Sequence, residues 1–429
     1  MDVNTRNLMF IAGLIFVQLF SVYCSSKENN PKNKYLNNGN LTLPSGFIST
    51  IVAEDIGEGR HIVINTNGDI YVSLNSLKHG NGIVALRDTN RDGKADIIKY
   101  FGKLSGTGIG IYNGYLYFGS DTNIVRYKLK PGELVPDEHE EVIAHGFDNN
   151  HQHASKPFTF DNKGNLYVNF GAPANACQNP DRTPGTPGQN PCPILAKAAG
   201  IWRFNAGKLN QDQVLDGYRY ATGLRNCVAI TWNNITNQLF VVQHGRDQLH
   251  ELWPAYYTVD EGVSLPAEEF FRLKDGSDCG WPFCYFNDSV KKKMLAPEYG
   301  GNGKTQGDCE GKEQPILTFP AHYAPNDLLF YTGSQFPATY NNGAFIAFHG
   351  SWNRAPQEQK GYNVVFVPFQ GDAPSGNWEV FADGFAGIKV IQSPGDAKYR
   401  PCGLATGSDG SLYVVEDNTG KIWKITYTK

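Results

Sequence analysis

A turn followed by a strand recurs six times along this chain, at residues 67–72, 113–118, 163–168, 237–242, 342–347 and 409–414. Glycine is the second residue in five of the six, and an alternating apolar run such as Leu116-Tyr117-Phe118 follows. Tight hairpin turns require positive φ, which Gly and Asn adopt at least cost, so each phrase reads as a turn leading into a half-buried strand. A second apolar strand precedes them, as in His61-Ile62-Val63-Ile64. Tyr71, Tyr117 and Tyr167 stand 46 and 50 residues apart, the length of a four-stranded blade, and later intervals widen where loops are inserted. Six repeats predict an all-β, six-bladed β-propeller with long inserted loops, in which radial closure hides the strand edges. The competing reading is a β-sandwich whose turns coincide. Composition favours strands: the chain has 47 Gly and 24 Pro, and only 19% of its residues carry charge, a poor supply for amphipathic helices.

The propeller accounts for residues 43–429. Ahead of it, Arg6 precedes an apolar run from Leu8 to Cys24, and a polar stretch reaches Asn40. Residues 1–24 read as a secretory signal and 25–42 as a flexible linker. Cys24 occupies the place of a lipoprotein cysteine, although Tyr23 is bulkier than that signal takes, so a membrane enters only if Cys24 is lipidated. The expected location is periplasmic or extracellular. Cysteine usage agrees with export. Cys177 and Cys192 bracket one irregular loop, Cys284 and Cys309 another, and each pair is a candidate disulfide; Cys227, Cys279 and Cys402 have no evident partner. A net charge of −4 excludes nucleic acid as a partner, since its binding proteins carry a basic excess.

In a propeller the loops at one end of the axis converge, so functional residues belong just before or after these strands. There the chain carries His151-Gln152-His153, Arg225-Asn226, Gln243-His244-Gly245-Arg246-Asp247, His349-Gly350-Ser351-Trp352-Asn353-Arg354 and Tyr399-Arg400-Pro401. Arginines, histidines and a tryptophan drawn from several blades make a cationic pocket with a stacking surface, suited to a flat polyanion.

These runs, with Pro266-Ala267-Glu268-Glu269-Phe270 and Gly280-Trp281-Pro282, resemble the sorbosone dehydrogenase group, relatives of soluble glucose dehydrogenase and pyranose dehydrogenase that depend on pyrroloquinoline quinone (PQQ). The resemblance spans about Leu43 to Tyr427. It implies PQQ on the propeller axis, calcium beside it, and oxidation of an aldose or sugar aldehyde. Carried over by position, His153 is the catalytic base, and Arg225 with Asn226 contacts the quinone and orients substrate. The backbone carbonyls of Gly245 and Arg246 bind calcium. Arg400 meets a PQQ carboxylate, where the group's second arginine is Cys402 here. Arg354 stands in for a cofactor lysine, and Arg60, His349 and Trp352 face the cofactor. A neutral histidine is well matched to removing a hydroxyl proton near pH 7, and the quinone is the electron sink. The implied partners are a small sugar and an unidentified electron acceptor.

Asp88, Asn90, Asp92 and Asp96, with Gly93 at the sixth position, form a second calcium candidate, although Lys99 replaces the terminal bidentate carboxylate. The plain alternative is an Asx-rich hairpin. Two other functions stay open: a calcium-dependent lactonase-type hydrolase, which needs carboxylates converging on an axial metal, and a carbohydrate-binding propeller without turnover.

Overall fold

The computed structural model describes residues 37–428 apart from 138, 150 and 151. The signal segment, Cys24, the first part of the linker and His151 lie outside the described residues. Among the described residues, no helix is long and apolar enough to cross a membrane.

Each turn-and-strand phrase forms the second strand of one blade, and there are six blades. Blade 1 contains Gly59–Ile64, Ile70–Lys78, Asn81–Arg87 and Ile97–Phe101, and blade 2 starts with Gly106–Tyr112 and Tyr115–Ser120. Blade 3 begins at Phe158–Phe160, blade 4 at Ala229–Asn233 and blade 5 at Pro325–Phe330. Blade 6 is Pro401–Thr406, Leu412–Glu416 and Ile422–Tyr427, completed by Phe47–Ala53. The four main strands of each blade are antiparallel, two blades add a short parallel fifth strand, and Asn113-Gly114 shows why the turns are read so easily. Both residues have positive φ (47° and 77°), the conformation of a two-residue hairpin turn between Tyr112 and Tyr115.

The first strands ring the axis, each touching the first strand of its neighbours. They pack so closely that side chains are excluded at some positions. A Cβ on Gly108 would lie 2.4 Å from the Lys156 carbonyl oxygen, and one on Gly403 2.3 Å from that of Arg60. Second strands are sandwiched between blades and almost wholly buried, as in Leu116, Tyr117 and Phe118, so the apolar core is a set of wedges between adjacent sheets.

Two long inserts leave the ring. Disulfides Cys177–Cys192 and Cys284–Cys309 staple them, while Cys227, Cys279 and Cys402 are free and buried. In the Asp88–Asp96 loop the carboxylates accept from the loop's own backbone. Asp96 Oδ2 accepts from the Thr89 amide and hydroxyl (2.7 and 2.6 Å), and Asp88 accepts from the amides of Asp92 and Gly93. The loop amides already satisfy the carboxylates, and among the described residues no three His, Cys, Asp or Glu are grouped to hold a metal.

The ring closes without a covalent link: Phe47 pairs with Tyr427 in register, and the Phe47 ring meets Phe336, Tyr340 and Phe381 edge-on at 4.8–5.5 Å. Phe47→Ala should therefore destabilise the whole propeller by about 3–5 kcal/mol, the usual cost of removing a buried phenylalanine. Denaturant unfolding of the purified variant measures this, and wild-type stability would show that the seam does not depend on this ring.

Candidate active site

All six blades send residues from second strands and their exits, or from first strands and the segments leading into them, to one mouth of the axis, where they line a cavity of about 470 Å³. Blades 5, 6 and 1 supply His349, Trp352, Arg400 and Arg60 to its wall. Blades 1 to 4 and their leading loops supply Asn75, Asp121, His153, Ser155, Asn226 and His244. One sector is thus cationic and aromatic, and the other is rich in neutral hydrogen-bonding groups.

His153 is held by its backbone and by one ring nitrogen. It has a φ of 52°, in the left-handed region, and Nδ1 lies 2.5 Å from the Ala172 carbonyl. A carbonyl only accepts, so Nδ1 carries the proton and Nε2 keeps its lone pair. Gly171 makes room, because a Cβ there would lie 2.6 Å from the His153 Cβ and 2.7 Å from Asn226 Oδ1. Burial first, and then the positive charge of Arg225, push the His153 pKa down to about 3. The imidazole is therefore a neutral base throughout the physiological range.

Arg225 is placed differently from the expectation. It is buried behind the cavity wall, pairing with Asp247 (2.8 Å) and donating from Nη1 to the Gly245 carbonyl (2.9 Å). Its charge reaches His153, but its guanidinium does not line the cavity. The Gly245 carbonyl, expected to serve a calcium ion, is thereby engaged by a guanidinium. Arg246 turns its side chain onto Glu298. Arg225, Gly245 and Arg246 border an enclosed hole of about 10 Å³, the size of one water, but the nearby carboxylates are spoken for. Asp247 also accepts from Arg182 and Asn353, and Glu268, raised to about 8 by burial, accepts from the Gly245 and Ala324 amides. These residues do not by themselves form the six- to eight-oxygen shell that calcium needs. Arg354 donates its guanidinium to the carbonyls of Glu358, Val263 and Ala321 and is not among the residues of the cavity wall.

The cationic sector fits a planar polyanion. Arg60 lines the cavity with its Nε buried and without a partner, and Trp352 leaves 52% of its surface exposed at the rim. Arg400 is aimed by bonds to the carbonyls of His349 (3.0 Å) and Gly350 (2.8 Å) and lies over the Tyr362 ring. Asp417 accepts from Arg60 Nη1 (2.6 Å) and pairs with His349 Nε2 (2.7 Å). Sequence reasoning passed over Asp417, Asp121 and Asn75. The signal was present: each lies three residues beyond the end of its repeat phrase, at the same exit as Gly245 and Gly350.

A six-bladed propeller with an arginine- and histidine-lined mouth defines the class of this protein. The chain belongs to the TrAA12-like family, whose profile matches residues 41–428. It is 30% identical over 231 residues to a pyrroloquinoline quinone-dependent pyranose dehydrogenase of Coprinopsis cinerea, covering 47% of this chain and 30% of that protein. An uncharacterised protein of Borreliella burgdorferi is 27% identical over 285 residues, 66% of this chain and 62% of the relative. The chain thus spans less than two thirds of either relative. Among solved structures, the holo PQQ domain of the Coprinopsis cinerea pyranose dehydrogenase superposes with a TM-score of 0.72 at 21% identity, over 91% of this chain and 98% of that one. The calcium structure of a Trichoderma reesei family AA12 enzyme gives 0.74 at 19% identity, over 90% and 97%. These likenesses establish the six-bladed fold.

The depressed pKa of His153 has a sign that can be tested. The unfolded chain takes up a proton at this residue near pH 6.5, which the folded chain refuses until about pH 3, so this histidine costs stability as pH falls through that window. His153→Gln should lose less stability than wild type between pH 6.5 and 4, by up to about 1.4 kcal/mol per pH unit. Denaturant unfolding across pH provides the comparison; identical slopes would mean that His153 titrates normally.

Proposed function

We propose that this protein is a PQQ-dependent sugar dehydrogenase that oxidises an aldose or a sorbosone-like sugar aldehyde. The carrying observation is His153, a buried, neutral imidazole with one nitrogen fixed on a carbonyl, set in the wall of a cavity that also presents two arginines. Oxidation of a hemiacetal carbon removes a proton from oxygen and a hydride from carbon, leaving a carbonyl. Nε2 of His153 takes the proton, and burial, with the charge of Arg225 second, keeps that nitrogen unprotonated beforehand. Arg60 and Arg400 offer guanidinium donors to carboxylates, Trp352 offers a stacking face, and Asn226 offers its amide. Bound PQQ would supply the two-electron acceptor for the hydride. The electrons then pass to an external acceptor.

The hydrolase alternative calls for an acidic cluster on the axis, and none is formed among the described residues. Calcium is part of the proposal through the carbonyls of Gly245 and Arg246, which would help to hold it, and a bound calcium ion would supply charge that polarises the quinone. Export is proposed on the apolar leader and the two disulfides, bonds that persist in oxidising compartments.

Three measurements test this reading. PQQ should bind the purified protein with saturable quenching of tryptophan fluorescence and support dye reduction by sugars; absence of binding with and without calcium would remove the cofactor. Loaded His153→Gln should retain PQQ affinity while turnover falls by about two to four orders of magnitude, the worth of a positioned general base. Near-normal turnover would move the base elsewhere. Quinone-free protein should bind calcium only weakly, with Kd on the order of 10⁻⁴–10⁻³ M; micromolar binding by calorimetry would show that the protein forms the site alone.

A further inference from the structure

Asp417 is a carboxylate shared by two groups of the cationic sector, and it comes from a third blade. Its oxygens take different partners: Oδ2 accepts from Arg60 Nη1 at 2.6 Å, and Oδ1 pairs with His349 Nε2 at 2.7 Å. Arg60 belongs to the first strand of blade 1, His349 ends the second strand of blade 5, and Asp417 follows the second strand of blade 6. All three side chains are nearly enclosed, with 12%, 17% and 15% of their surface exposed. A guanidinium buried to this degree is costly without a counter-ion, so Asp417 permits Arg60 to stand there at all. It also fixes direction. With Nη1 committed to Asp417, Arg60 stays in the cavity wall, and its Nε is buried without a hydrogen-bond partner. With Nε2–H committed to Asp417, His349 has only Nδ1 left to offer. Arg400 is tied to the same corner through the His349 carbonyl.

We infer that Asp417 is a positioning residue for the anionic cofactor: it orients Arg60 and His349 from one point, and a negative charge beside an anion site thereby strengthens anion binding. The inference rests on the PQQ reading and adds a residue that the resemblance did not supply.

Simple electrostatics and positioning make opposite forecasts. If Asp417 acts only as a charge, Asp417→Asn makes the sector more positive and PQQ binds more tightly. If it positions Arg60, the same change weakens PQQ by about tenfold, the scale of one misdirected charge-assisted hydrogen bond. Fluorescence titration of intact protein with PQQ, alongside thermal melts, measures this for wild type, Asp417→Asn, Asp417→Glu, Arg60→Gln and the Arg60→Gln/Asp417→Asn pair. Positioning predicts weaker binding by Asp417→Glu as well, since the added methylene displaces the carboxylate at unchanged charge. It also predicts that Asp417→Asn costs less in the Arg60→Gln background than in wild type, because one of the two groups it acts through is gone. Tighter or unchanged binding by Asp417→Asn, unchanged binding by Asp417→Glu, or an equal loss in both backgrounds would each overturn the inference. Failure of wild type to bind PQQ overturns the cofactor reading instead.

Discussion

Convergence of six inner strands on one axis is the constraint from which the rest of this structure follows. Their spacing leaves no room for a Cβ at Gly108 or Gly403, and it brings the loops of different blades within hydrogen-bonding reach at one mouth. Asp417 meets both Arg60 and His349 because strand ends far apart in sequence are delivered to the same small circle, while His153 with Ala172 and Arg225 with Asp247 meet across the loops of a single blade. The outer strands and inserts thicken the disc, but the chemistry belongs to its inner rim.

Crowding so many charged groups there requires neutralisation, and the protein does this in pairs. Asp247 serves Arg225 and Arg182, Glu298 serves Arg246, Asp417 serves Arg60, and Glu269 serves Lys293. The histidines respond to the same burial: His153, His244 and His349 are all driven toward the neutral form, with desolvation the leading cause in each. A rim of fixed cations and neutral imidazoles can receive an anion and accept a substrate proton without competing for the same groups.

The architecture was legible because turns obey local chemistry. An Asn-Gly hairpin needs no distant partner to be recognised, and six such turns at blade spacing leave few other folds. Long loops were harder. Arg354 sits in the same run as His349 and Trp352, yet its loop carries it onto the carbonyls of Val263 and Ala321, contacts that no spacing rule encodes. Arg225 was recognised as important but assigned to the cavity surface, since a sequence motif does not reveal which side of a wall a side chain occupies. Asp88 and Asp96 match a calcium pattern and also accept from their own loop amides, two properties that one short acidic turn can carry together. Asp417 was visible in principle, because its place beyond the sixth phrase repeats that of Asn75 and Asp121; the missing step was to apply one offset to all six repeats.

The seam in blade 6 joins Phe47 to Tyr427, so an early strand and the last one complete a single sheet. During synthesis the segment Phe47–Ala53 has no partner until almost the entire chain has been made. Its backbone donors and acceptors stay open while five blades form, an invitation to strands of other molecules. The order of assembly is thereby imposed by topology: blades 1 to 5 can gather locally, but the seam cannot. Neither can the Arg60–Asp417–His349 corner, whose members come from blades on either side of that seam. Competence to bind and completion of the ring are then the same event.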